Sequence, residues 1–398
     1  MSSEATAATP VIDVFDETFQ RDPYPVFAAA RRHGRIAHDT FGSIILLHIK
    51  DFEDVAADKR FGAFGDRLPR MLGASDGPTY DWLANCVMFL DPPDHTRLRG
   101  LVRREFTARR LAVLHEQIAQ TTDSLLDAVA GAGEMEVIED FAAQLPLITI
   151  CQLVGMPAAD APRLRGWSDH LLANNSAEVP RADRAITEFR DYLLDLIRAR
   201  RRDPGDDLVS ALTVAEANDQ LCTDELWNLI MKLVFAGNDT TMGLLANAVY
   251  LLLRHPDQLA ALAEHPEARI AAAVEEFLRF EPPVSGNGRI ALTDVQLGDL
   301  AIGAGQALRL MPTAVNRDPE RFDDPDTFDL ARSPNRHVAF GYGAHLCLGA
   351  TLARMEAQIA IPKLIARLKN LQLATPDIRW AATRGRTLER LPVTFTSS

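Results

Sequence analysis

The chain has 398 residues, 47% hydrophobic and 24% charged, a balance that excludes a disordered or fibrous chain and allows a large core without disulfides. Its net charge of −13 argues against nucleic acid as the main partner, and no run is long and apolar enough to anchor in a bilayer. Cys86, Cys151, Cys222 and Cys347 are widely spaced with no Cys-x-x-Cys pair, so free thiols in a reducing, cytoplasmic setting are expected, and the N-terminal residues carry no secretory signal pattern.

In chain order, "DPYPVFAAARRHG" predicts a short helix stopped by Gly34, and "GSIILLHI", Gly42 to Ile49, predicts the first clear strand. Two amphipathic helices follow, "RLAVLHEQIAQTTDSLLDAVAGAG" and "ITEFRDYLLDLIRARRRDPG". The longest periodic run is Thr223 to Pro256, with Thr223 as the expected N-cap, Asp224 and Glu225 in the first turn and Pro256 as the stop. It is apolar on nearly every face and so belongs in a core. Lys232, Asn238, Asp239 and Asn247 argue against a membrane span, because such groups are costly at mid-bilayer. Next, "GRIALTDVQLGDLAIGAGQALRLM" predicts short strands punctuated by glycines. The fold class is mainly α with small β-sheets. The β-rich portions fall at about 35–60 and 284–312, and no linker or repeat divides residues 1–398, so a single domain is expected.

Two features carry chemistry. Inside the long buried helix, "AGNDTT" (Ala236 to Thr241) sets small residues beside an acid and two hydroxyls, side chains that compete for backbone hydrogen bonds. A buried polar kink is one reading. The other is a groove where the helix opens beside a ligand and an acid–alcohol pair handles protons. The second feature is "HVAFGYGAHLCLGA", His337 to Ala350, which places Cys347 among glycines just ahead of a predicted helix. A buried structural cysteine needs no such glycines, and zinc on Cys347 and His345 would need further ligands that the sequence does not supply. Gly341 and Gly343 allow backbone conformations denied to other residues, so the loop and the helix start can aim N–H groups at a thiolate.

Together these features resemble the cytochrome P-450 superfamily of haem-thiolate monooxygenases. Four motifs carry the resemblance, which covers nearly the whole chain. The cysteine motif Phe-Gly-x-Gly-x-His-x-Cys-x-Gly stands complete as Phe340, Gly341, Gly343, His345, Cys347 and Gly349. The central-helix motif stands as Ala236, Gly237, Asp239 and Thr240, the Glu-x-x-Arg motif as Glu276 and Arg279, and "DPPDHTRLR" runs from Asp91 to Arg99.

The resemblance implies a cytochrome P-450 fold, with haem b between the central helix and the cysteine-loop helix. Cys347 would be the iron's axial ligand, and such a thiolate pushes electron density through the metal. His95, Arg99, Arg289 and His345 would bind the propionates; Phe340, Gly341 and Gly349 would pack beside the macrocycle. Glu276 and Arg279 would form a buried structural pair. The family's third partner is missing from "FDDPDTFDLAR", where Thr327 stands in its place and Arg332 is a candidate. Asp239 and Thr240 would be catalytic in proton delivery. A lipophilic small molecule would meet Phe235, Ala236, Val284, Asn287 and Leu388, with Arg67 and Arg70 available to a substrate carboxylate. No reductase is expected within the chain, so electrons would come from a ferredoxin or flavodoxin. That donor would dock at a basic proximal face of Arg97, Arg103, Arg104, Arg109, Arg110 and Arg354. The alternatives are a haem-thiolate gas sensor or electron carrier without turnover, and a peroxide-driven hydroxylase. Neither needs the Asp239–Thr240 pair.

Overall fold

The computed structural model describes residues 9–105, 107–171, 175–381 and 385–397. The chain forms two compact units interleaved in sequence: Met1–Gly62 with Gly243–Ala350 and Leu368–Thr396, and Ala63–Met242 with Thr351–Arg367 and Ser397–Ser398.

The first unit is built on a six-stranded mixed sheet in the order Val11–Ile12, Ile36–Asp39, Ile44–Leu46, Ala307–Leu310, Asn287–Ala291, Phe61–Gly62. Ile44 pairs with Leu308 in parallel register, and Asn287 pairs with Leu310 antiparallel. The short runs of β-branched residues bury one continuous core, in which Ile45, Leu46, Leu47, Phe52, Val55 and Leu308 are almost fully enclosed. The strand expected over Gly42–Ile49 is shorter than its apolar run, because Ile49 already starts the helix Ile49–Ala57. An acid far away in sequence forces the change: the Ile49 N–H donates to Asp318 Oδ2 at 2.9 Å. The helix expected to stop at Gly34 spans Tyr24–Arg31 and tightens first, with Arg32, His33 and Gly34 N–H groups each bonding three residues back. The predicted β-rich region yields four strands, two of which (Val295–Leu297 and Leu300–Ile302) form their own hairpin.

Long helices make up the second unit, among them Ala108–Val129, Gln144–Val154 and Val179–Arg202. Val179–Arg202 buries Ala182, Ala185, Ile186, Phe189, Leu193 and Ile197, the spacing of one helical face. Its basic last turn is tied down by charge: Arg200 Nε donates to Asp207 Oδ2 at 2.6 Å and Arg201 Nε to Glu216 Oε2 at 2.9 Å.

The helix Thr223–Arg254 contributes residues to both units. Thr223 is its first turn rather than its N-cap, because its hydroxyl is engaged by Glu216 and Arg201. The Glu225 carboxylate takes up the capping role and accepts the Cys222 N–H at 2.9 Å. Of the two readings of "AGNDTT", a polar kink or an opening beside a ligand, neither interrupts the helix. The helix is continuous through it, and the Thr240 hydroxyl donates to the Ala236 carbonyl at 2.8 Å. Among the described residues, no helix is long and apolar enough to cross a membrane.

One buried acid in the second unit has a measurable cost. Glu356, in the helix Ala350–Arg367, is enclosed, its Oε2 has no hydrogen-bond partner among the described residues, and burial holds its pKa well above the usual carboxylate range. The folded state therefore keeps a proton that the unfolded chain releases above about pH 4.3. Stability falls as pH rises from there toward the raised pKa, by up to about 1.4 kcal/mol per pH unit for this group. Glu356→Gln removes that dependence. Urea unfolding of the variant should match the native protein near pH 4 and exceed it at pH 7.

Candidate active site

In the first unit, the loop around Cys347 is held by its own backbone. The Cys347 N–H donates to the Phe340 carbonyl at 2.8 Å, the Gly341 N–H to Val338 at 2.8 Å, and the Leu346 N–H to Gly343 at 3.2 Å. Gly341 and Gly343 have φ of 75° and 69°, the left-handed region. A Cβ on Gly343 would lie 2.4 Å from the Ala56 carbonyl oxygen, so the loop lies against the helix Ile49–Ala57 with no room for a methyl group. At Gly341 the nearest atom would be 3.6 Å away. Gly343→Ala should therefore cost both strain and a backbone clash, about 3 kcal/mol or more, and Gly341→Ala only strain, about 1–2 kcal/mol. Thermal denaturation of the two variants checks the order.

Cys347 is exposed, and a Cβ on Gly349 would reach only ordinary contact with Sγ, at 4.0 Å. Cys86 and Cys151 are buried instead. Desolvation raises both thiols, Cys151 to about 12, so neither is a thiolate at neutral pH.

His337 braces the start of this loop. Its Nδ1 accepts the Ala339 N–H at 3.1 Å, which leaves Nε2–H to donate to Glu275 at 3.1 Å. The neighbouring residue Glu276 forms a two-bond pair with Arg279, both distances 2.7 Å, and both residues are 0% exposed. Every Arg279 N–H is satisfied: beyond Glu276 it donates to the carbonyls of Asn316 (3.1 Å), Pro325 (2.7 Å) and Thr327 (3.1 Å). Thr327 thus serves through its backbone. Arg332 Nε approaches Glu276 at 3.4 Å, and Asn335 Nδ2 donates to Glu276 at 3.0 Å. Nothing in the local sequence marks Asn335 or the three carbonyls, because they enter from a distant loop.

Arg289 is buried on the strand Asn287–Ala291, with Nη1 donating to the Gly288 carbonyl at 2.8 Å. His345 is half-buried in the turn Gly343–His345. Of the expected pocket residues in this unit, Asn287 is exposed, Val284 half-buried and Leu388 buried. Their two segments are joined: Val284 bridges Gly385, and the Arg386 N–H donates to the Pro283 carbonyl at 2.7 Å. Sequence reasoning missed Gly243 and Asn247, which seat them. A Cβ on Gly243 would lie 2.6 Å from Thr387 Cγ2, and Asn247 Nδ2 donates to the carbonyls of Glu281 (3.2 Å) and Arg386 (2.8 Å). A glycine inside a helix, costing about 1 kcal/mol relative to alanine, was the available signal.

In the second unit, Phe235, Ala236, Asp239 and Thr240 lie on one helix. The Phe235 ring meets Trp82 edge-on at 6.0 Å. A Cβ on Gly237 would come within 3.2 Å of Ile150, so the small residue lets the helix Gln144–Val154 approach. Burial raises the Asp239 carboxyl to about 6; the nearby Asp169 adds to the rise, while Lys232, Arg165 and a hydrogen bond from Asn238 oppose it. His95 is buried and Arg99 half-buried, one turn apart on the helix Asp94–Arg103, so they share a face. Arg67 and Arg70 are exposed, and Arg70 is occupied by Tyr80 at 3.0 Å.

Three of the six arginines expected on the basic face are paired with acids. Arg97 holds Asp94 and Glu225, Arg109 holds Asp206, and Arg110 holds Glu105 and Asp206. Arg103 and Arg104 are exposed with no acidic partner among the described residues.

Comparison with known proteins decides the family. The cytochrome P450 profile matches residues 164–377. Cytochrome P450 107B1 of Saccharopolyspora erythraea is 38% identical, covering 98% of each chain. The chain belongs to the cytochrome P450 family. The biotin biosynthesis cytochrome P450 of Bacillus subtilis is 36% identical over 95% of this chain and 97% of that one. The crystal structure of CalO2 superposes with a TM-score of 0.93 at 32% identity, covering 98% of this chain and 100% of that chain.

As a cytochrome P450 the protein is a monooxygenase, and its family binds haem b through a cysteine thiolate. The residues present fit that group: an exposed thiol on a glycine-shaped loop, with a buried arginine and a histidine in the same unit to suit carboxylates.

Proposed function

We propose that Cys347 is the thiolate ligand of the haem and that the protein hydroxylates a lipophilic small molecule. The observation that carries this reading is the contrast among the cysteines. Cys347 alone combines exposure with a loop whose glycines are forced by geometry, while Cys86 and Cys151 are buried and inert. His95, Arg99, Arg289 and His345 hold the propionates, and Phe340, Gly341 and Gly349 line the ring. When bound, the haem supplies dioxygen activation and oxygen insertion. The chain's part is to exclude water, orient substrate and deliver protons. Asp239 is suited to delivery because a pKa of about 6 lets it both hold and release a proton near neutral pH. The Thr240 hydroxyl, now bonded to Ala236, turns to pass that proton on.

Phe235 and Ala236 in the second unit, and Val284, Asn287 and Leu388 in the first, are assigned to substrate contact on the family resemblance. Relatives carry names such as vitamin D(3) 25-hydroxylase and 6-deoxyerythronolide B hydroxylase, and one related structure holds myristic acid, which supports a lipophilic substrate here. Electrons come from a ferredoxin or flavodoxin, for which Arg103 and Arg104 are the available cations of their helix. The protein works in the cytoplasm, where its four thiols stay reduced. The Asp239–Thr240 pair favours dioxygen-dependent turnover over a sensor, a carrier or a peroxide-driven enzyme. The test is spectroscopic: reduced protein exposed to carbon monoxide should give a strongly red-shifted Soret band. Its absence in folded, haem-loaded protein would overturn the reading. A screen of fatty acids, macrolides and steroids for low-to-high-spin shifts then narrows the substrate.

A further inference from the structure

We infer that Asn238 is a positioning residue for proton delivery, an amide that hydrogen-bonds Asp239 in both of its protonation states. The inference rests on the reading of Asp239 as the proton carrier.

Asn238 sits on the buried part of the central helix, 2% exposed. Its Nδ2 donates to Asp239 Oδ1 at 3.0 Å. That assignment is forced by charge, since a carboxylate only accepts and the amide oxygen cannot face it. The other end of the amide, Oδ1, is enclosed and has no partner among the described residues. A buried acceptor without a donor is unfavourable, so a residue serving structure alone would be better as leucine.

The half-satisfied amide makes sense beside an acid that gains and loses a proton. Turning the amide half a revolution about its last bond exchanges oxygen for nitrogen. Oδ1 then lies where it can accept the O–H of protonated Asp239. Asn238 therefore donates to the carboxylate and accepts from the acid, and Asp239 keeps its orientation through each proton it passes. The charged groups acting on Asp239 come from two helices. Lys232 lies on the central helix itself. Arg165 and Asp169 come from the helix Ala161–Ser168 and its C-terminal end. Arg165 is held by Glu139 at 2.7 Å. These groups set the electrostatic field, while Asn238, among the described residues, hydrogen-bonds the Asp239 side chain directly.

The experiment is a titration of haem-loaded protein carrying carbon-13 at the aspartate carboxyls, with the Asp239 signal assigned by its loss in Asp239→Asn. In the native protein the Asn238 side-chain amide resonances should shift over the same pH range as the Asp239 signal. In Asn238→Leu the Asp239 midpoint should rise by about half a unit to one unit, because both states lose a bond and the charge-assisted one to the carboxylate is the stronger of the two. Asn238→Gln, which keeps the amide, should restore most of that change and also serves if the leucine variant does not fold. Dioxygen consumption with a plant-type ferredoxin and its reductase should fall about tenfold in Asn238→Leu, with a larger solvent deuterium isotope effect. An unmoved Asp239 midpoint, or amide signals blind to its titration, overturns the inference. If Asp239→Asn itself leaves dioxygen consumption and its isotope effect unchanged, the parent reading of Asp239 falls instead.

Discussion

Cys347→Ser should yield a folded protein in which the red-shifted Soret band of the reduced carbon monoxide complex is lost completely. A serine hydroxyl is nearly isosteric, so the loop's backbone bonds from Cys347 to Phe340 and from Leu346 to Gly343 are preserved. What is lost is the thiolate, the only ligand type that donates electron density strongly enough to shift the band. Cys222→Ser is the control, because Cys222 is also exposed but lies outside any glycine-shaped loop. Circular dichroism should be unchanged in both variants. A red-shifted band surviving in Cys347→Ser would move the axial ligand to another residue.

Arg279→Leu should be the most damaging single change outside the loop. Arg279 and Glu276 are both fully enclosed, and five donated hydrogen bonds satisfy the guanidinium. Removing the cation strands the Glu276 charge and frees the carbonyls of Asn316, Pro325 and Thr327. Breaking such a buried pair costs about 3–5 kcal/mol. Total stability is about 5–15 kcal/mol, so the variant should express poorly and retain little haem. Glu276→Leu should be similarly harmful. The double variant should be less unstable than the two single losses summed, because no unpaired charge remains. Urea unfolding of the three variants measures that coupling, and strict additivity would show that the pair acts as two independent residues.

The parts of the site that were legible in the sequence are those whose chemistry is local. The cysteine loop could be read because its glycines, His345 and Cys347 lie within ten residues, and Gly341 and Gly343 answer a backbone need of the same turn. Glu276 and Arg279 stand at an ordinary i, i+3 helix spacing, and it was the family resemblance that marked them as a buried pair. Arg332, the candidate third partner in the sequence, does reach Glu276 at 3.4 Å. What could not be read is the backbone carbonyl at Thr327, which has no sequence signature. The pairing of three of the six arginines expected on the basic face was illegible for a related reason. Counting arginines ignores acids that arrive from elsewhere, and Glu225 and Asp206 neutralise Arg97, Arg109 and Arg110.

The amino-acid sequence by itself determined the helical periods, the glycine-shaped cysteine loop and the acid–alcohol pair, because each follows from covalent geometry and short-range spacing. Only the tertiary structure decided how those groups behave. Burial beside Asp169 raises Asp239 to about 6. The approach of Ala56, nearly 290 residues earlier in the chain, turns Gly343 from a preference into a requirement. Solvation and close approach depend on what surrounds a residue in space, and these neighbours are brought in by the fold from distant parts of the chain.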